Sequence, residues 1–210
     1  MKLQLALDAI TLEDAVRIVK QVSSELDIVE LGTPFTWTHP IETIGMFKRE
    51  FPHNLILADY KIMDGGEYCA GLAYDAGADI TTVSARTLDI TIQGAVKAAR
   101  DRGRSILADM MGVPSEEMAS RAREVEALGV DYICIHRGLG VKDSPLENLK
   151  ILKETVTQSQ IAIAGGIDLD TLREIVPLKP DLVIVGSAII RAENPLLMAR
   201  TMRNIMKEAE

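Results

Sequence analysis

Cysteine is nearly missing from this chain: Cys69 and Cys134 are the only two in 210 residues. They lie far apart in apolar settings, so no disulfide framework or cysteine-based zinc site is expected. Aromatic residues make up 4%. No run approaches the roughly 18 apolar residues of a membrane span. The opening Met-Lys-Leu-Gln-Leu-Ala-Leu-Asp carries one Lys and is broken by Asp8, which does not read as a signal peptide. A reduced, cytoplasmic setting is therefore expected, with no membrane partner. Basic residues are outnumbered, 23 against 31 acidic, for a net charge of −8. The positive field of a dedicated nucleic-acid binder is lacking, although one local site can still hold an anion. Linkers, charge blocks and composition shifts are also missing, so a single domain over residues 1–210 is expected.

What is present is ample apolar material, 47% of the chain, in a regular alternation. Short β-rich runs occur at 3–8, 28–31, 55–59, 80–83, 105–109, 132–136, 161–164 and 182–185. Most are near-continuous apolar runs of the kind buried on both faces of a parallel sheet. Amphipathic segments of helical period follow them. In the first, Leu12, Ala15, Val16, Val19 and Val22 share one face, and Thr11 stands as N-cap three residues before Asp14. Others cover 40–51, 64–76, 88–102, 114–128, 144–157, 168–176 and 194–208. Ala-Gly-Ala-Asp (76–79), Leu-Gly-Val-Asp (128–131) and Leu-Lys-Pro-Asp (178–181) recur just before strands, as the helix-to-strand turns of one repeating unit. Eight such units predict an α/β fold, a single (β/α)8 TIM barrel. An open doubly wound sheet is the alternative, but no G-x-G-x-x-G follows the first strand.

The polar residues sit at strand ends, which in such a barrel line one mouth. Asp8 ends strand one, Glu30 lies in strand two, and Asp59 ends strand three, followed by Lys61 and Asp64. Asp109 ends strand five and His136 strand six. Singly, each carboxylate reads equally well as a helix N-cap, and His136 as a structural histidine. Together they gather five carboxylates, a lysine and a histidine. Glu30, inside Val-Glu-Leu, needs a partner because burying an unpaired charge is costly; a cation or bound hydroxyl would supply one. Alternation puts Asp59 and Lys61 on one side of the strand end. A lysine between carboxylates keeps its charge and can pass a proton to a substrate, or it forms an ion-pair network without chemistry. Late in the chain, Gly165-Gly166 and Gly186-Ser187 close strands seven and eight. Loops at those places often bind phosphate through backbone N–H groups; simple turn geometry is the other reading.

The stretch 57–66, Leu-Ala-Asp-Tyr-Lys-Ile-Met-Asp-Gly-Gly, contains Asp-x-Lys-x-x-Asp and resembles the signature of the orotidine 5′-monophosphate decarboxylase superfamily. Residues 2–8, Val-Glu-Leu-Gly-Thr-Pro (29–34), Ile-Ala-Gly-Gly-Ile (163–167) and 183–189 are similar to its 3-hexulose-6-phosphate synthase branch. The 3-keto-L-gulonate-6-phosphate decarboxylases share much of the pattern. The resemblance runs nearly end to end. It implies Mg²⁺ held by Glu30 and Asp59, with Asp8 and Asp109 as acids around the substrate. It implies catalysis by Lys61 with Asp59 and Asp64, His136 as acid/base, and a phosphate gripped by Gly165, Gly166, Gly186 and Ser187. Asp64 is expected to reach into a neighbouring subunit's site, which implies a homodimer. The implied reaction joins formaldehyde to ribulose 5-phosphate through a metal-stabilised enediolate, giving 3-hexulose 6-phosphate. Alternatives are the related decarboxylation, an aldolase or isomerase reaction of another phosphosugar, or a silent phosphosugar-binding barrel.

Two stretches depart from the synthase pattern. Residues 83–89 read Val-Ser-Ala-Arg-Thr-Leu-Asp instead of Val-Leu-Gly-x-x-Asp. Residues 136–142 read His-Arg-Gly-Leu-Gly-Val-Lys instead of His-Thr-Gly-x-Asp-x-Gln. His136-Arg137 resembles the decarboxylases, whose second arginine falls on Leu139 here. Arg86 and Arg137 either grip an anion or are solvated loop charges. His39 and His53 lack ligand-like neighbours in sequence. Cys134 and the scattered methionines read as packing. Trp37, in a loop after strand two, is a lid or interface candidate.

Overall fold

The computed structural model describes residues 1–138, 140–141 and 145–209. Eight parallel strands close into a barrel in chain order: β1 (Lys2–Leu7), β2 (Ile28–Leu31), β3 (Leu55–Ile62), β4 (Ile80–Ser84), β5 (Ser105–Asp109), β6 (Tyr132–His136), β7 (Gln160–Ala164) and β8 (Leu182–Val185). Helices α1 (Leu12–Val22), α3 (Glu42–Glu50), α4 (Gly66–Asp75), α5 (Asp89–Asp101), α6 (Met118–Ala127), α7 (Leu146–Thr155), α8 (Leu169–Ile175) and α10 (Pro195–Glu208) form the outer ring. The Thr11 hydroxyl caps α1 by accepting from Asp14 N–H, and Asp168 and Asn194 cap α8 and α10 in the same way. No helix among the described residues is long and apolar enough to cross a membrane.

Strand periodicity decides what faces where. In β1, Leu3, Leu5 and Leu7 pack outward against the helices, while Ala6 joins the interior cluster. The register stacks the interior in layers of four. From the N-terminal end, Ile28, Ile80, Tyr132 and Leu182 come first, then Gln4, Leu57, Leu107 and Ala162. Glu30, Thr82, Cys134 and Ile184 follow, and then Ala6, Asp59, Asp109 and Ala164. The core is apolar at one end and acidic at the other, so polar chemistry is confined to the C-terminal mouth.

The opposite end is held by four aspartates, one before each even-numbered strand. The Asp27, Asp79, Asp131 and Asp181 carboxylates accept the backbone N–H of Leu3, Ile56, Ile106 and Ile161 at 2.7–2.8 Å. Each also donates its own N–H to the carbonyl of that residue. The backbone carbonyls of Asp27, Asp79, Asp131 and Asp181 themselves accept from the next odd strand, from the N–H of Leu55, Ser105, Gln160 and Lys2 respectively. One aspartate thus ties three strands, four times around the barrel. The recurring turns ending at 79, 131 and 181 are three of these, and Asp27 is the fourth.

Three features differ from the sequence reading. Trp37 lies not in a loop but in a short helix, α2 (Thr33–Thr38), started by Pro34. A one-turn helix, α9 (Ser187–Ile190), follows β8. The first strand ends at Leu7, one residue before Asp8, and the third runs on to Ile62. Leu139, Lys142 and Ser144 (the first residue of the expected 144–157 helix) lie outside the described residues.

Candidate active site

The site is built on the top interior layer and the loops above it. β3 brings Asp59 inward, but the strand does not continue regularly. Its register against β4 shifts between Ala58 and Ile62, and Lys61 takes a left-handed backbone with φ +43°. For a residue with a Cβ that costs about 1–3 kcal/mol and persists only where surrounding contacts hold it. Here the Lys61 N–H donates to Thr82 Oγ1 at 2.8 Å. The Lys61 side chain folds back into the mouth, with Nζ 2.5 Å from Asp59 Oδ2 and 2.9 Å from Asp109 Oδ2.

Both carboxylates are buried, and each of their oxygens has at least one hydrogen-bond partner. Asp59 accepts from the Thr82 hydroxyl at 2.6 Å and from the Thr33 hydroxyl at 2.8 Å. Asp109 accepts the Met111 N–H at 2.8 Å and lies 2.9 Å from His136 Nδ1. Burial works against the Asp109 charge, but His136, Lys61 and the Met111 N–H outweigh it and bring its pKa down to about 2. Burial likewise works against the Lys61 ammonium, and Asp59 and Asp109 together hold its pKa above the ordinary lysine value. Lys61 is therefore a cation in the folded chain.

Two further acids behave in the opposite way. Glu30 is buried on β2 one layer below and accepts Gln4 Nε2 at 2.5 Å. Burial first, then the Asp59 charge, push its carboxyl well above the ordinary range. Asp8, just past β1, counts among exposed residues, yet its carboxyl packs beside Gly32 and Gly186. Burial there and repulsion from Asp59 raise its pKa. A cation near Glu30 and Asp59 would relieve both strains. Among the described residues no group of three or more His, Cys, Asp and Glu side chains gathers as a metal cage. Two carboxylates suit a hard cation that keeps waters and takes its remaining oxygens from substrate, which is how Mg²⁺ is usually held.

Asp64 does not join this cluster. It is exposed, and its Oδ1 accepts the neighbouring Gly65 N–H at 2.7 Å. The loop carrying it is tied to the loop after β4, because the Thr87 hydroxyl donates to the Met63 carbonyl. Arg121 on α6 in turn donates to the carbonyls of Ala85 and Thr87. Arg86 reaches across to the Gly112 carbonyl rather than into the cluster.

The glycine loops have a definite physical cause. Gly165 and Gly166 have φ +98° and +66°. A Cβ at Gly165 would stand 2.2 Å from the Arg137 carbonyl oxygen, and one at Gly166 would stand 1.7 Å from Arg137 Nη2. The guanidinium lies over this turn and donates to the Gly166 carbonyl at 3.3 Å. The loop thus holds a cation beside exposed backbone. Gly186 and Ser187, the start of α9, sit across the seam between β8 and β1, with Gly186 next to Ala6. Thr33, Thr82 and Gln4 were missed in the sequence. Gln4 left the one readable signal, a polar residue at an inward position of an otherwise apolar strand.

A parallel barrel whose mouth sets one lysine between two strand-end carboxylates, with glycine turns after its last two strands, defines a class of enzyme. The chain belongs to the orotidine 5′-phosphate decarboxylase / HUMPS family, whose model matches residues 1–202. It is 44% identical over 209 residues to the 3-hexulose-6-phosphate synthase of Bacillus subtilis, covering 98% of this chain and 99% of that protein. The crystal structure of 3-hexulose-6-phosphate synthase from Salmonella typhimurium superposes with a TM-score of 0.96 at 38% identity, covering all of both chains. That of 3-keto-L-gulonate-6-phosphate decarboxylase from Vibrio cholerae gives 0.84 at 26% identity, covering 100% of this chain and 98% of that one.

Proposed function

We propose that this enzyme joins formaldehyde to ribulose 5-phosphate, giving 3-hexulose 6-phosphate, with Mg²⁺ as cofactor. The observation that carries the reading is the Lys61 ammonium pinned between Asp59 and Asp109 at the barrel mouth, in a chain whose relatives bear that synthase name. Glu30 and Asp59 would hold the cation, which when bound neutralises negative charge developing on substrate oxygens. The chain's own groups handle the protons. Asp109 holds His136 through Nδ1, which leaves Nε2 to take the C1 proton of the ketopentose phosphate. The resulting carbanion equivalent attacks the formaldehyde carbon. The new alkoxide takes a proton from Lys61, whose raised pKa makes it an acid rather than a base at neutral pH. The backbone of Gly165, Gly166, Gly186 and Ser187, with the Arg137 guanidinium, grips the phosphate.

The same reading includes a homodimer. Asp64 is exposed and makes no hydrogen bond or ion pair with its own chain's Lys61 cluster, and the exposed Trp37, Met63, Tyr68, Leu88 and Ile90 lie on α2, α4, the first turn of α5 and the loops before α4 and α5. Large apolar side chains of this kind mark an interface when they cluster. A second copy packed there would take Asp64 into its own mouth.

A second reading, decarboxylation of a 3-keto sugar-acid phosphate, draws on Arg137 and on the likeness to the Vibrio cholerae decarboxylase. One assay separates the two. The enzyme is given ribulose 5-phosphate, formaldehyde and Mg²⁺, with C1 exchange in D₂O followed by NMR. Formaldehyde-dependent hexulose phosphate formation is expected. Exchange without product, together with CO₂ release from 3-keto-L-gulonate 6-phosphate, would replace the first reading by the second. Tight binding without exchange would leave a silent barrel.

A further inference from the structure

Gln4 has no place in the chemistry above, and its position is unusual. Its side chain is wholly buried in an interior layer otherwise made of Leu57, Leu107 and Ala162. A leucine or methionine would fill that space without burying an amide. Nε2 donates to Glu30 Oε2 at 2.5 Å, and Oε1 is buried with no hydrogen-bond partner among the described residues. A buried acceptor left unpaired costs about 1–3 kcal/mol. Stability therefore argues against an amide here. What it gains is one directed hydrogen bond to one carboxylate oxygen. With Glu30 ionised, as a metal ligand must be, turning the amide over would set Oε1 against Oε2, so the donor orientation follows from the pairing.

We infer that Gln4 is a positioning residue for the cation site, and that it selects which cation binds. The inference rests on the reading of Glu30 as a metal ligand. The Gln4 bond takes one lone pair of Oε2 and turns that oxygen toward the amide, which favours metal binding through Oε1 alone; no side chain among the described residues donates to Oε1. A carboxylate restricted to one oxygen suits a small octahedral ion such as Mg²⁺ or Mn²⁺. Ca²⁺, which takes six to eight oxygens and readily uses both oxygens of one carboxylate, is disfavoured. Hydrogen bonds to metal-ligating carboxylates fix ligand orientation in this way, and losing one typically costs about 10–100-fold in metal affinity.

The test measures metal binding to the intact enzyme without substrate, by Mn²⁺ electron paramagnetic resonance titration and competition with Mg²⁺ and Ca²⁺. Gln4→Met is the primary variant, and Gln4→Leu is the second in case the first does not fold. We expect Mn²⁺ affinity to fall about 10–100-fold and the preference for Mg²⁺ over Ca²⁺ to shrink, while the melting temperature of the metal-free protein holds or rises. Unchanged affinity and selectivity in a folded variant, with binding lost in Glu30→Gln, would overturn the role of Gln4 and keep the metal site. Unchanged Mn²⁺ binding in Glu30→Gln would overturn the metal reading, and this inference with it.

Discussion

Lys61 and His136 meet at the same atom. Asp109 Oδ2 lies 2.9 Å from Lys61 Nζ and 2.9 Å from His136 Nδ1. The acid and the base of the proposed reaction are therefore oriented by one carboxylate oxygen. Asp109→Asn removes the charge and sets an NH2, which accepts nothing, either against Lys61 and His136 or against the Met111 N–H. Turnover should fall about 100-fold with KM little changed, measured as formaldehyde-dependent product formation. Near-normal turnover in Asp109→Asn would separate the two groups.

Lys61→Ala removes the proton donor itself and keeps a Cβ on the same left-handed backbone. Product formation should be lost, and the fold should persist by circular dichroism. The left-handed strain stays, and the buried Asp59 and Asp109 lose their shared cation, so stability should fall. Wild-type turnover in this variant would sink the role given to Lys61.

Asp109 also predicts an acid limb in stability. Its pKa falls from 3.8 in the unfolded chain to about 2 in the fold. A depressed carboxyl contributes stability that is present above the unfolded pKa and lost as pH falls through the folded one. The contribution, about 2 kcal/mol, should therefore disappear between about pH 4 and pH 2. Urea unfolding across that window should show a shallower pH slope for Asp109→Asn than for the wild type. Equal slopes would mean that the carboxyl is not depressed.

Gly165 and Gly166 should respond differently to alanine. Gly165 faces the Arg137 backbone, which cannot yield, so Gly165→Ala should cost about 3 kcal/mol or more. Gly166 faces the flexible Arg137 guanidinium. Gly166→Ala should cost less in stability but should weaken phosphate binding by displacing that guanidinium. In an Arg137→Ala background the stability cost of Gly166→Ala should shrink to the left-handed backbone penalty, about 1–2 kcal/mol. A double-mutant cycle by chemical denaturation measures the coupling.

Asp79 offers a control at the far end of the barrel. It accepts Ile56 N–H and pairs with Lys48 and Arg104, with its own side chain buried. Asp79→Ala should cost about 3 kcal/mol and leave KM for the sugar phosphate unchanged. A KM change there would mean that the two ends of the barrel are coupled.

The fold was legible because eight apolar runs and their intervening helices each carry a local signal. Even the repeated turns ending in aspartate were visible, though not that each ties three strands. The mouth was legible only as a set of strand-end residues. Its geometry was not, because that depends on a break in regularity: Lys61 reaches its carboxylates through a left-handed residue and a register shift, which alternation does not foresee. Thr33 and Thr82 are ordinary strand and helix residues until the barrel closes and places their hydroxyls on Asp59. The helix carrying Trp37 was missed because six residues with a proline second carry too few periods to read. Glycines 165 and 166 were read as a phosphate loop. Their immediate cause is Arg137, some thirty residues earlier and adjacent only across the β6–β7 pair.

The four aspartates at the closed end make β1, β3, β5 and β7 equivalent. Lys2 meets the Asp181 carbonyl just as Leu55, Ser105 and Gln160 meet those of Asp27, Asp79 and Asp131. The junction where the ring joins its own beginning is built like the other three, so the barrel has no privileged first strand. Residue order is then a convention of the gene rather than a requirement of the architecture. A circular permutant opened in the turn before β5, with α10 linked to β1, retains every one of these joints and should close the same ring.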